Sequence, residues 1–115
     1  MGETIFSKII NKEIKADIVF ENDSVIAFKD INPQAPVHIL IVPKTEIARV
    51  SDLSGKEHAA LLGEMFDAAN LLARENNIAQ EGFRLVLNCG QKGGQEVYHL
   101  HMHLLGGRQM RWPPG

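Results

Sequence analysis

The chain has 115 residues, of which 44% are hydrophobic and 23% charged, with a formal net charge of −2 from 12 basic and 14 acidic side chains. That length suffices for one domain with a real core, and the near-neutral balance offers no basic field for a nucleic acid. No segment reaches membrane-spanning length, and a single cysteine, Cys89, excludes an internal disulfide and fits a reducing cytoplasm. The N-terminus lacks the apolar stretch of a signal peptide, and Phe6 stands where a myristoylation signal at Gly2 needs Ser or Thr.

In chain order, Thr4 can cap a short amphipathic helix within 4–14, where Ile5 and Ile9, and Phe6 and Ile10, stand four apart. Ile18–Glu21 and Val25–Lys29 read as short strands about the turn Asn22-Asp23-Ser24. Pro33 and Pro36 make 30–36 a loop, because each pushes the residue before it out of the helical region. Val37–Val42, β-branched and almost wholly apolar, reads as a central strand buried on both faces. Ser54 and Glu57 have the spacing of a capping box. Leu61, Met65, Ala68, Ala69 and Leu72 then recur at helical period over about five turns, until Glu75-Asn76-Asn77 and Gly82 end the helix. Phe83–Asn88 and Val97–Leu105 read as the fourth and fifth strands. The expected class is α+β, an antiparallel five-stranded sheet with the long helix on one face. Its open edges invite a symmetric partner.

The fifth strand carries the chemistry. Residues 97–107 read Val-Tyr-His-Leu-His-Met-His-Leu-Leu-Gly-Gly, placing three of the five histidines at every-other spacing. On an extended strand His99, His101 and His103 share one face, while Tyr98, Leu100, Met102 and Leu104 pack on the other. Three uses compete. As metal ligands they are badly spaced: the outer two stand about 13 Å apart along a straight strand, although a pair together with His38 could bind one ion. As plain polar residues of a solvated face they are odd choices, because His is not a strong strand former. As catalysts at phosphorus they fit. Neutral imidazole is a nucleophile near pH 7, and flanking imidazoles can bind phosphate oxygens or deliver a proton. The central His101 is then the attacker. Just before it, Asn88-Cys-Gly-Gln-Lys-Gly-Gly-Gln-Glu96 is a glycine-rich loop in which Gly93 and Gly94 let backbone amides approach an anion and Asn88 offers a side-chain amide. It lacks the Gly-Lys-Ser/Thr of a Walker loop. Cys89 reads as a small buried filler.

His-Leu-His-Met-His-Leu-Leu resembles the His-φ-His-φ-His-φ-φ signature of the histidine triad superfamily, where φ is apolar. The likeness extends to Thr-Ile-Phe-Ser-Lys-Ile-Ile at 4–10, Asp-Ile-Asn-Pro-Gln-Ala-Pro-Val-His-Ile-Leu at 30–40, Gly-Gly-Gln-Glu-Val-Tyr-His at 93–99 and the tail Gly-Gly-Arg-Gln-Met-Arg-Trp-Pro-Pro-Gly. It is similar to the Hint branch in particular. The resemblance implies a single HIT domain over 1–115 and a homodimer whose two sheets join into ten strands. The tail, 106–115, would then lie near the partner. It further implies binding of purine nucleoside monophosphates and hydrolysis of adenosine 5′-phosphoramidates and aminoacyl-adenylates, with no cofactor and no essential metal. Carried over by position, His101 forms a nucleotidyl-histidine intermediate, His103 and Asn88 bind the α-phosphate beside Gly94, His99 supports His101, and His38 is a fourth histidine behind the triad. Asp30 matches the carboxylate that holds the ribose hydroxyls, and Phe6, Ile9, Phe28, Ile31 and Leu40 match the base pocket. Glu96 stands where many eukaryotic relatives carry serine; a carboxylate repels phosphate, so it is not counted among the phosphate ligands. The resemblance leaves two other functions in view, a dinucleoside polyphosphate hydrolase and a nucleotide-binding regulatory protein. The nucleotidyltransferase branch usually has glutamine where this chain has His103.

Overall fold

A computed structural model describes residues 3–115, so the reading at Gly2 lies outside it. Helix α1 (Ile5–Ile10) opens on Thr4, whose Oγ1 accepts the Ser7 N–H at 3.1 Å while the Ser7 hydroxyl accepts the Thr4 N–H at 2.9 Å. The reciprocal cap satisfies two donors that a helix start otherwise leaves unpaired. Five strands follow, β1 (Ile18–Glu21), β2 (Val25–Lys29), β3 (Val37–Pro43), β4 (Phe83–Val86) and β5 (Met102–Gly106), with helix α2 (Ala59–Glu75) between β3 and β4. They form one antiparallel sheet in the order β1-β2-β3-β5-β4, so β3 is central, as its apolar run predicts. Among the described residues no helix is long and apolar enough to cross a membrane.

Strand alternation gives this sheet two apolar faces. Val25 and Ala27 of β2, Ile39 and Ile41 of β3, and Met102 and Leu104 of β5 pack with Met65, Ala68, Ala69 and Leu72 of α2. Each large side chain fully buried here contributes roughly 1.5–3 kcal/mol. The opposite face is smaller: Ile26, Phe28, Leu40 and Val42 meet Phe6 and Ile9 of α1. Because α1 is only six residues long, it covers part of that face and leaves a hollow beside it.

Three expectations are corrected. The fifth strand starts at Met102, not Val97, because the preceding backbone is bonded elsewhere: the Leu100 N–H donates to Ile47 O at 2.6 Å, and Val97 O accepts from the Gln95 side chain at 3.0 Å. Only His103 of the triad therefore lies in regular strand, and Tyr98, expected inside, is 39% exposed. The fourth strand ends at Val86, paired with His103, since β5 supplies no partner further along. The long helix begins at Ala59. Ser54 Oγ does accept the Glu57 N–H at 3.2 Å, but the Ser54 N–H donates to His58 Nδ1 at 2.9 Å, so His58 takes the part expected of Glu57.

Candidate active site

The hollow beside α1 is a cavity of about 480 Å³, within the size range of small-molecule sites. Its apolar lining comes from Phe6 and Ile9 of α1, Phe28 of β2 and Leu40 of β3, together with Ile5, Ile14, Ala16 and Val97. Polar groups share the lining: Asp30, Asn88, Glu96, His101 and His103, with the backbone of Gly94. Ile31 is also in the lining but is 95% exposed. Ten of the twelve expected residues are thus brought together. The other two, His99 and His38, are buried outside the lining.

Chain segments far apart in sequence supply these groups. Asp30 follows β2, and its backbone N–H donates to His38 O at 3.0 Å. The register of β3 on β5 sets Leu40 opposite His103 and His38 opposite Leu105, which places Leu40 beside the triad. The glycine-rich loop is shaped by Gly90 and Gly94, with φ of +75° and +83°, values that only glycine adopts cheaply. A Cβ at Gly93 would lie 2.3 Å from Cys89 O, so that position also admits nothing larger. Gln95, which the sequence reading passed over, pins the loop from inside. Its Oε1 accepts the Gly90 N–H at 3.0 Å, and its Nε2 donates to Ala48 O at 2.8 Å and to Val97 O. Cys89 is half-buried rather than enclosed, with its thiol 3.7 Å from Ser51 Oγ.

The hydrogen positions on the histidines follow from groups that can play only one role. His101 Nδ1 lies 2.7 Å from His99 O; a carbonyl only accepts, so Nδ1 carries the hydrogen and Nε2 is a bare lone pair. His99 thus supports His101 through its backbone, while its own ring donates from Nε2 to Pro43 O at 2.8 Å. The Gln34 N–H can only donate, and it meets His38 Nδ1 at 3.0 Å. The His38 hydrogen is therefore on Nε2, which lies 2.8 Å from His103 Nδ1. That atom accepts, leaving His103 with an N–H on Nε2. The cavity wall therefore carries one bare imidazole nitrogen next to one imidazole donor, with ring centroids 5.0 Å apart.

Burial keeps these rings neutral. Desolvation lowers the pKa of His101, and the His99 carbonyl bond opposes it only in part. Desolvation, then the neighbouring His101 and His38, push His103 down to about 4. His38 is also lowered by burial, against the pull of Asp30. A depressed pKa keeps the lone pair of His101 available throughout the neutral range. Phe6 stands edge-on to His101 with centroids 4.9 Å apart, closing that side of the ring to water.

Asp30 does two things at once. Oδ1 accepts the Asn32 N–H at 2.8 Å, the turn-capping use expected of an aspartate before a proline loop. Oδ2 keeps accepting capacity and lies 3.5 Å from His38 Nε2. Asp30, His38 and His103 also place one ligand atom each within 4.8 Å of one another, a grouping in which a metal ion could be imagined. Metal binding needs a lone pair on His38 Nε2, whereas the Gln34 N–H, by claiming Nδ1, puts a hydrogen there. The geometry favours a proton between the two rings over a cation.

Residues 11–110 match the HIT domain family model. The purine nucleoside phosphoramidase of Escherichia coli K12 is 56% identical over 108 residues, covering 94% of this chain and 90% of that one. Adenylylsulfatase HINT1 of Arabidopsis thaliana is 52% identical, covering 97% of this chain and 76% of its own. Among solved structures, a HIT family hydrolase from Legionella pneumophila Philadelphia 1 superimposes with a TM-score of 0.95 at 49% identity, covering 98% of this chain and 100% of that chain. With its histidine row, its sheet order and these likenesses in agreement, the chain belongs to the HIT domain family, in the company of Hint-type proteins.

Proposed function

We propose that this protein is a purine nucleoside phosphoramidase, releasing AMP by hydrolysis of the P–N bond of adenosine 5′-phosphoramidates and of the P–O anhydride bond of aminoacyl-adenylates. One observation carries the reading. His101, with a bare Nε2, and His103, with an N–H, line a cavity of about 480 Å³ whose walls also carry Phe6, Ile9, Phe28 and Leu40. The base lies among Phe6, Ile9, Phe28 and Leu40, the ribose hydroxyls bond Asp30, and the phosphate meets Asn88, Gly94 and His103. His101 Nε2 attacks phosphorus and the P–N bond breaks, the amine leaving with a proton from water at the open mouth. As the new N–P bond forms, positive charge develops on the imidazole, and the His99 carbonyl on Nδ1 stabilises it. His103 Nε2–H donates to a phosphoryl oxygen at the same moment. Water then splits the nucleotidyl-histidine bond, returning neutral His101 and AMP.

The protein acts in the cytoplasm as a homodimer, with neither nucleic acid nor membrane as partner. Support comes from Trp112 at the tail, 82% exposed and too large an apolar surface to leave in water without a use. The rival activity, cleavage of dinucleoside polyphosphates, needs room for a second nucleotide beyond the phosphate. Turnover of adenosine 5′-phosphoramidate should exceed that of diadenosine polyphosphate by at least about a hundredfold in kcat/KM. A preference for the dinucleotide overturns the assignment, and binding of AMP with no turnover of either points to the regulatory protein.

A further inference from the structure

Arg108, in the tail, is tied to the histidine pair behind the site. Arg108 donates from both Nε and Nη2 to Gln34 O, each at 3.1 Å, a two-pronged grip that only a guanidinium can make on one carbonyl. The N–H of the same Gln34 donates to His38 Nδ1. His38 Nε2–H in turn donates to His103 Nδ1, and His103 is left with its hydrogen on Nε2 at the cavity wall. Gly107, at φ +89°, brings the chain close enough for this: a Cβ there would lie 2.9 Å from Pro36 Cβ.

We infer that Arg108 is a positioning residue for the reaction, acting on the substrate's phosphate through Gln34, His38 and His103 without touching it. This rests on the phosphoramidase reading for its kinetic part. A neutral imidazole exchanges its hydrogen between two nitrogens at little cost, so a pair of them has two nearly equal arrangements. In one, His103 offers the phosphate an N–H; in the other it offers a lone pair, which repels phosphoryl oxygen. Nothing within the pair chooses. The choice comes chiefly from the Gln34 N–H, which must stay aimed at His38 Nδ1 at 3.0 Å; Asp30 Oδ2, 3.5 Å from His38 Nε2, favours the same arrangement at longer range. Gln34 sits between Pro33 and Pro36 in an exposed loop, and its side chain only bonds Asn32 O nearby in that loop. Arg108 fastens the carbonyl of this residue from a position two residues beyond β5, where His103 itself lies.

The test has two arms. Ring-nitrogen NMR of the substrate-free protein should show His103 with its hydrogen on Nε2. In Arg108→Ala the two nitrogens should move toward a mixture, with Arg108→Lys, a single-pronged donor, in between. Kinetically, Arg108→Ala should lower kcat about three- to tenfold while KM stays within about twofold. In a His38→Ala background the same substitution should change nothing further, because the route it acts through is gone. An unaltered His103 tautomer in Arg108→Ala overturns the proposal. So does an equal loss of kcat in both backgrounds, or a change confined to KM, either of which marks a tail that merely holds the loop or the partner. The NMR arm needs no substrate, so it judges the inference even where the phosphoramidase reading fails.

Discussion

Lowering the pH from 7 to 5 should cost this protein stability through its histidines, before most carboxylates titrate. His38, His101 and His103 all have folded pKa values below the 6.5 of an ordinary imidazole, chiefly from burial. For a group depressed on folding, the stabilisation is present in full above the unfolded value and drains away as pH falls toward the folded one. For His103 that window runs from 6.5 down to about 4. At pH 5 the unfolded ring has taken up a proton and the folded ring has not. The undiscounted penalty is about 2 kcal/mol, and roughly half of that after allowing for the part of the ring open to the cavity and its water. Urea unfolding at half-unit steps between pH 8 and 4.5 reads this directly. The stability curve should be level above about pH 7 and fall below 6.5, and in His103→Gln the slope between 6.5 and 5 should be visibly shallower. A wild-type curve that stays flat from 7 to 5 would refute the reasoning, as would an NMR titration placing His103 near 6.5. Glu21, lowered by its bonds to Lys12 and Lys44, adds a separate loss only below its ordinary value of 4.5.

Two further outcomes are expected. Gln95→Leu removes one acceptor and two donor bonds from the loop and strands Ala48 O, Val97 O and the Gly90 N–H; it should cost about 2–4 kcal/mol in urea unfolding and raise the inhibition constant of AMP, and an unchanged stability would show that the loop is held otherwise. Asp30→Asn should weaken AMP binding by about tenfold, because a carboxylate that accepts from ribose hydroxyls is replaced by an amide with half its accepting capacity. A comparison with 2′,3′-dideoxy-AMP, on which the substitution should have little effect, separates the ribose contact from damage to the Asn32 turn.

Much of the fold was legible because its signals are local. Thr4 announces α1, the β-branched run 37–42 announces β3, and helical recurrence from Leu61 to Leu72 announces α2. The boundaries that failed depend on distant partners. Nothing in Val97–His101 says that the Leu100 N–H will find Ile47 O rather than a neighbouring strand. Period-2 spacing correctly put Leu100, Met102 and Leu104 on one side and the histidines on the other, yet Tyr98 fell outside the pattern because the chain bends at 97–99. The site was legible as a set of residue types: His101, His103, Asn88, Gly94 and Asp30 do line one cavity. Their division of labour was not. Which imidazole nitrogen is bare is set by two backbone groups, His99 O and the Gln34 N–H, and a sequence carries no mark of where a backbone hydrogen bond will land. Gln95 and Arg108 were passed over for the same reason, since each works by gripping main-chain atoms 47 and 74 residues away.

The central claim is that His101, and no other side chain, becomes covalently joined to the nucleotide. Rapid quenching of the protein during turnover of a slowly released phosphoramidate, followed by peptide mass analysis, measures this directly. A nucleotidyl group is expected on the peptide containing His101, localised to that ring by fragmentation and absent from His101→Ala. An adduct on His99 or His103, or full turnover by His101→Ala with no adduct at all, would contradict it.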